Sequence, residues 1–99
     1  MSASNADQGR SLTRCLAVVD GALILTELGP VAYADVVPPR IGMPGSAYLR
    51  TVNQRLVQDQ DVVIVERAVS PDGSIVADVW LGETHVNAVI AEALGRVDA

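Results

Sequence analysis

Five short β-compatible runs, cut apart by Asp20-Gly21, Gly29-Pro30, Pro38-Pro39 and Ser70-Pro71-Asp72-Gly73, constrain what this chain can fold into more than any other feature. Glycine supplies backbone angles other residues avoid, and proline withholds an amide from the ladder, so each cluster stops a strand and turns the chain. Runs 12–20, 22–28 and 31–37 predict a three-strand meander, ended by the paired prolines and followed by a loop over 40–44. Within 45–58, Tyr48, Leu49, Val52 and Leu56 recur at helical spacing, which predicts one amphipathic helix able to bury a single face. Runs 62–69 and 74–81 predict a hairpin turned at Pro71-Asp72-Gly73. Thr84 then reads as the N-cap of a final helix that carries Val86, Val89, Ile90, Ala93 and Leu94 on one stripe and stops near Gly95. The order β-β-β-α-β-β-α predicts a β-barrel with helices, an α+β fold of the five-stranded, OB-fold-like Greek-key type.

Composition sets the limits around that fold. A chain of 99 residues with 49% hydrophobic content has room for one domain with its own core, here residues 11–99. Residues 1–10 are small and polar without periodicity, and read as a disordered tail or, at Ser4-Asn5-Ala6, a cloning remnant. Cys15 is the lone cysteine, so an intrachain disulfide and a cysteine-rich zinc site are both excluded. Its apolar neighbours predict a buried, inert thiol, and a reducing, cytoplasmic setting fits. No apolar run approaches the roughly 20 residues that cross a bilayer, and the N-terminus lacks the basic and apolar blocks of a secretory signal, so the chain reads as soluble. The formal charge is −5, all seven basic residues are arginine, and no basic stripe emerges. Nucleic acid is therefore an unfavoured partner.

Two segments, Val18-Val19-Asp20-Gly21 and Val31-Ala32-Tyr33-Ala34-Asp35-Val36-Val37-Pro38-Pro39, carry a family resemblance. Together they resemble the staphylococcal nuclease-like (thermonuclease) domain, whose first strand ends in V-V-D-G-D-T and whose third reads V-R-L-x-G-I-D-x-P-E. Ala47-Tyr48-Leu49-Arg50 is similar to the A-x-x-x-L-R opening of that family's first helix. The run Ser70-Pro71-Asp72-Gly73-Ser74-Ile75-Val76-Ala77-Asp78-Val79-Trp80-Leu81 resembles its D-R-Y-G-R-x-x-A-x-V-Y-L hairpin, and Val86-Asn87 falls on its V-N pair. The likeness spans about residues 16–97.

The resemblance implies a nuclease chassis without its charges. Members of the family hydrolyse phosphodiesters with a calcium ion, a glutamate that activates or orients water, and two arginines that clamp the phosphoryl oxygens. Here the carboxylate positions that would hold the metal fall on Ala22 and Val37, which have no side-chain oxygen for an ion that takes about six to eight oxygen ligands. The glutamate falls on Arg40, which cannot accept a proton, and the clamp arginines fall on Ala32 and Ser74. Loss of one such donor typically costs roughly 100- to 1,000-fold in rate. Catalysis and a bound calcium ion are both expected to be absent, with no other cofactor. Asp20 survives, and as part of an Asp-Gly pair it reads first as a turn residue bonding local amides.

The leading expectation is a catalytically inactive domain acting as a binding or structural module, contacting protein through the small apolar surface of Ala22, Ala32, Val37, Pro38 and Pro39. An alternative is a divergent metal-dependent phosphodiesterase with a relocated site at Asp20 and Asp35, helped by Glu27 or His85. It rests on Asp35 sharing a strand face with Val37. A third is non-catalytic binding of single-stranded nucleic acid or oligosaccharide on the barrel face. His85, with Glu83 or Asp78 nearby, reads first as a surface or capping residue and second as a general base. Tyr48 and Trp80 read as packing residues rather than as stacking platforms for bases.

Overall fold

The computed structural model describes residues 10–97. Its elements are β1 (Arg10–Asp20), β2 (Leu23–Thr26), β3 (Gly29–Tyr33), α1 (Ser46–Val57), β4 (Asp61–Val69), β5 (Ile75–Leu81), β6 (Thr84–His85) and α2 (Val86–Val97). The order β-β-β-α-β-β-α is the predicted one, with a two-residue strand added before the last helix. Most of the expected tail lies outside the described residues, but Arg10 opens β1, where it pairs with Val65.

β1 is long enough to serve two neighbours. Its first half, Arg10 to Arg14, pairs antiparallel with β4, and its second half, from Cys15 to Asp20, pairs antiparallel with β2. Register shifts at Cys15/Ala17 and Val18/Asp20 bend the strand between those duties, because each extra residue increases local twist. β2 continues to β3, β4 pairs with β5, and a short parallel ladder from Val31↔Ile75 to Tyr33↔Ala77 joins β3 to β5. That last pairing closes a five-stranded mixed barrel with an OB-fold-like arrangement.

Alternation along the strands fills the interior. Cys15, Val18, Ile24, Val31, Tyr33, Val62, Ile64, Ala77 and Val79 point inward and are buried. α1 adds Leu49, Asn53 and Val57; α2 adds Val86, Asn87, Ile90 and Ala93. Cys15 is in this core as expected, and burial pushes its thiol pKa upward, which keeps it protonated and inert.

Two buried side-chain amides stitch the elements together. The Tyr33 hydroxyl donates to Asn53 Oδ1 at 2.6 Å, and Asn53 Nδ2 donates to the Asp20 carbonyl at 2.9 Å, so α1 is bonded to both β3 and β1. Asn87 Oδ1 accepts the Val79 amide at 2.7 Å, while its Nδ2 donates to the carbonyls of Ala34 and Ala77 at 3.1 and 3.0 Å. Asn87 thereby bridges the seam just where the β3–β5 ladder runs out.

Three local expectations are corrected. β3 ends at Tyr33 rather than Val37, because β2 begins at Leu23, whose partner is Ala32, and the chain then turns through Asp35 at φ 63°. Aspartate tolerates that left-handed conformation better than most residues, so the β-branched pair Val36-Val37 falls in the following loop. Tyr48 is exposed, because the inward face of α1 is set by Leu49, Asn53 and Val57. Thr84 is paired with Leu81 in β6 and does not cap α2, which begins at Val86.

Candidate functional site

The segment between β3 and α1 determines what the barrel mouth presents. Having left the sheet at Tyr33, the chain runs through Pro38-Pro39 and Pro44 to Gly45, whose φ of 86° starts α1 without a side-chain cap. Val37 is 82% exposed, Ile41 80% and Met43 57%, values far above those expected of residues placed for packing. They line two grooves that meet at Met43. The larger, of about 660 Å³, is lined by Val37, Pro38, Pro39, Met43 and Pro44 of the loop, by Leu94 and Val97 of α2, and by Arg40. The smaller, of about 280 Å³, lies between Ile41, Met43, Val19 and Asp20 on one side and Ser46, Ala47 and Arg50 of α1 on the other.

A third hollow, of about 240 Å³, gathers the family-assigned positions Ala22, Ala32 and Ser74 with Asp20, Tyr33, Pro38, Ser70 and Asp72. Pro38 borders both this hollow and the 660 Å³ groove, whereas Val37, Pro39 and Arg40 line only the groove. The sequence positions are thus split between two adjoining concavities. Ala22 is buried within the core, so it contributes little to any contact surface.

The hollow is not free of charge, as the sequence reading supposed. Asp72, in the β4–β5 turn, faces it together with Asp20. Both carboxylates are occupied by their own turns. Asp20 Oδ1 accepts the Ala22 amide at 2.7 Å; Asp72 Oδ1 accepts the Ser74 amide at 3.0 Å and the Ser70 hydroxyl. Those bonds, the Ser70 hydroxyl foremost, hold the Asp72 carboxyl below its ordinary range. No basic side chain lines the hollow, so its field repels a phosphate ester rather than clamping one. Among the described residues, no group of three or more histidine, cysteine, aspartate or glutamate side chains is placed to hold a metal ion.

Asp35, the proposed replacement ligand, lies elsewhere. It lines a separate pocket with Val36, Arg67, Asp78, His85 and Asn87, and Val36 is the residue that borders both this pocket and the Asp20 hollow. Glu27 sits in the β2–β3 turn. In the Asp35 pocket, Asp78 accepts Arg67 Nε at 2.8 Å and contacts His85 Nε2 at 3.0 Å, while Arg67 lies 3.7 Å from Asp35. The His85 ring stacks on Trp80, with centroids 4.6 Å apart and planes 21° from parallel. Burial alone raises the Asp78 carboxyl pKa, but the bonds from Arg67 and His85 outweigh it and leave it below its ordinary value. The cluster spends its charges on itself: each acid has a basic partner, and no hydroxyl or thiol nucleophile lines the pocket.

Sequence reasoning missed Ile41, Met43, Leu94 and Val97 as surface-forming residues, and Asp72 as a neighbour of Asp20. The signal for the first pair was present. Two large apolar residues inside a glycine- and proline-rich loop have no strand or helix period that would carry them inward.

No protein-family model matches the chain, and no match is found among curated proteins. No helix among the described residues is long and apolar enough to cross a membrane.

Proposed function

We propose that this chain is a non-catalytic binding module, a degenerate relative of the staphylococcal nuclease-like domain, that contacts protein through the loop-and-helix surface at its barrel mouth. The observation that carries the reading is the exposure of Val37, Ile41 and Met43 around two adjoining grooves. Contiguous exposed apolar surface is costly to a free monomer and is typical of interaction sites. Proline at positions 38, 39 and 44 holds the groove wall in fixed backbone conformations, which lowers the entropy lost on binding. A free, buried Cys15 fits action in the reducing cytoplasm.

The charges support the non-catalytic reading. The hollow where the resemblance puts a metal and two arginines offers two amide-bonded carboxylates and no basic side chain. Phosphoryl transfer depends on electrostatic stabilisation and positioning. The test has two arms. Labelled single-stranded DNA, duplex DNA and RNA are incubated with the protein and calcium, magnesium, manganese or zinc, and no cleavage above buffer is expected. Metal-dependent cutting that disappears in Asp35→Ala or Asp20→Ala protein would replace this reading with that of a relocated phosphodiesterase. In the second arm, a protein captured by the wild type should be lost by an Ile41→Asp, Met43→Asp variant that keeps the wild-type melting temperature; capture unaffected by those charges would contradict the assigned surface.

A further inference from the structure

The 660 Å³ groove has a polarity that its apolar lining hides. Arg40 is its sole charged lining residue, and Arg40 makes no ion pair with any described residue. The rest of the wall is Val37, Pro38, Pro39, Met43, Pro44, Leu94 and Val97. A chain of net charge −5 therefore keeps a positive spot on a largely apolar groove. Arg50, in the smaller groove that adjoins at Met43, is likewise unpaired among the described residues, although Asp20 shares its groove.

Resting on the protein-contact reading above, we propose that the occupant of this groove is a short apolar peptide segment of a partner protein that bears a carboxylate, which docks on Arg40. Two features select this chemistry. The guanidinium is a planar fork whose parallel N–H bonds match a carboxylate, and it loses little hydration on pairing. The groove volume lies within the range of ordinary ligand sites, and an apolar lining with few fixed polar groups is what gives such sites orientation as well as affinity. Met43 supplies an unbranched, polarizable wall that adapts to side chains of different shape, while α2 supplies a fixed floor through Leu94 and Val97. A basic or uncharged segment gains the apolar contact alone; an acidic-apolar segment gains both.

The test uses ¹⁵N-labelled protein titrated with blocked tetrapeptides that hold leucine at every position but one, the variable residue being glutamate, glutamine or lysine. The glutamate peptide should move the amide signals of Val37, Arg40, Met43 and Leu94, and bind about two- to fivefold more tightly than the glutamine peptide, the upper part of the range for an exposed ion pair. With Arg40→Glu protein the order should invert, the lysine peptide becoming the tightest; Arg40→Gln should abolish the preference. Equal binding of all three peptides to the wild type, or a glutamate preference that survives Arg40→Glu, overturns the carboxylate assignment and leaves the protein-contact reading in place. Failure of every peptide to move the groove signals overturns both.

Discussion

The Tyr33 hydroxyl meets Asn53 Oδ1 at 2.6 Å inside the core, and the same amide reaches the Asp20 carbonyl at 2.9 Å. One polar side chain on α1 thus fixes the helix to the strand that leads into the loop before α1 and to the turn that holds Asp20. Burial pushes the Tyr33 hydroxyl pKa upward, opposed by the Asn53 bond, so the group stays a donor at any physiological pH. Tyr33→Phe leaves Asn53 with an unsatisfied buried acceptor and should lower unfolding free energy by about 1–2 kcal/mol. Asn53→Leu strands both the Tyr33 hydroxyl and the Asp20 carbonyl, and should cost about 2–4 kcal/mol. Urea denaturation with an unchanged slope checks the ranking.

Gly21 sits against α1 so closely that an added Cβ would lie 2.7 Å from Leu49 Cβ. That contact is with the root of a helical side chain, not its flexible end, so α1 itself must move. Gly21→Ala is expected to destabilise by about 1–3 kcal/mol. Gly73 has φ +90° and open space around its Cβ, so Gly73→Ala should cost about 1 kcal/mol through backbone strain alone. Thermal melts of the two variants separate steric from conformational cost.

Asn87 satisfies one buried amide and two buried carbonyls across the β3–β5 seam. Asn87→Ala should reduce stability by about 2–4 kcal/mol, because unpaired buried backbone groups carry their full desolvation penalty. Amide exchange gives a sharper readout: Val79, whose N–H loses its acceptor, should lose more protection than Ile24, in the β1–β2 ladder.

Acid should weaken the fold through Asp78. Its folded-state pKa lies below the ordinary carboxylate value, so the associated stability is present above about pH 4 and is lost as pH falls through the depressed folded value. Asp72 acts in the same direction, through the Ser70 and Ser74 bonds. Urea midpoints should therefore fall between about pH 5 and pH 3, and more shallowly in Asp78→Asn, which cannot ionise. An Asp78→Asn profile as steep as that of the wild type would contradict this assignment.

The barrel was legible because its punctuation is local. Asp20-Gly21 and Ser70-Pro71-Asp72-Gly73 turn the chain where the residues say they should, while the turn expected at Gly29-Pro30 falls two residues earlier, on Glu27-Leu28, and Gly29 and Pro30 open β3. The end of β3 was not, since Val36 and Val37 favour strands, whereas the β2–β3 ladder ends at Leu23↔Ala32 and the chain leaves β5 after Tyr33 through the left-handed turn at Asp35. The inward face of α1 was misread at Tyr48 because its central buried residue is the polar Asn53, which a hydrophobic period does not count. Of the candidate site, only the grouping of part of the resemblance-assigned positions was legible, and the charge around them was not. Ala22, Ala32 and Ser74 do converge, but Asp72 joins Asp20 there from across the barrel, a non-local pairing that no spacing encodes. Likewise Leu94 and Val97 reach the Val37–Met43 loop only because α2 packs beside α1.

The central claim is that the barrel mouth has nothing that grips a calcium–phosphate pair. Its most direct test is the melting temperature of the chain, followed with and without millimolar calcium and a nucleoside 3′,5′-bisphosphate. A ligand held at 100 times its Kd would add about 2.7 kcal/mol, which shifts a domain of this size on the order of 10 °C. The account predicts a change within about 1 °C, since Asp20 and Asp72 repel the phosphate and no side chain clamps it. A rise of several degrees that needs both calcium and the bisphosphate, and that vanishes in Asp20→Ala protein, would contradict it.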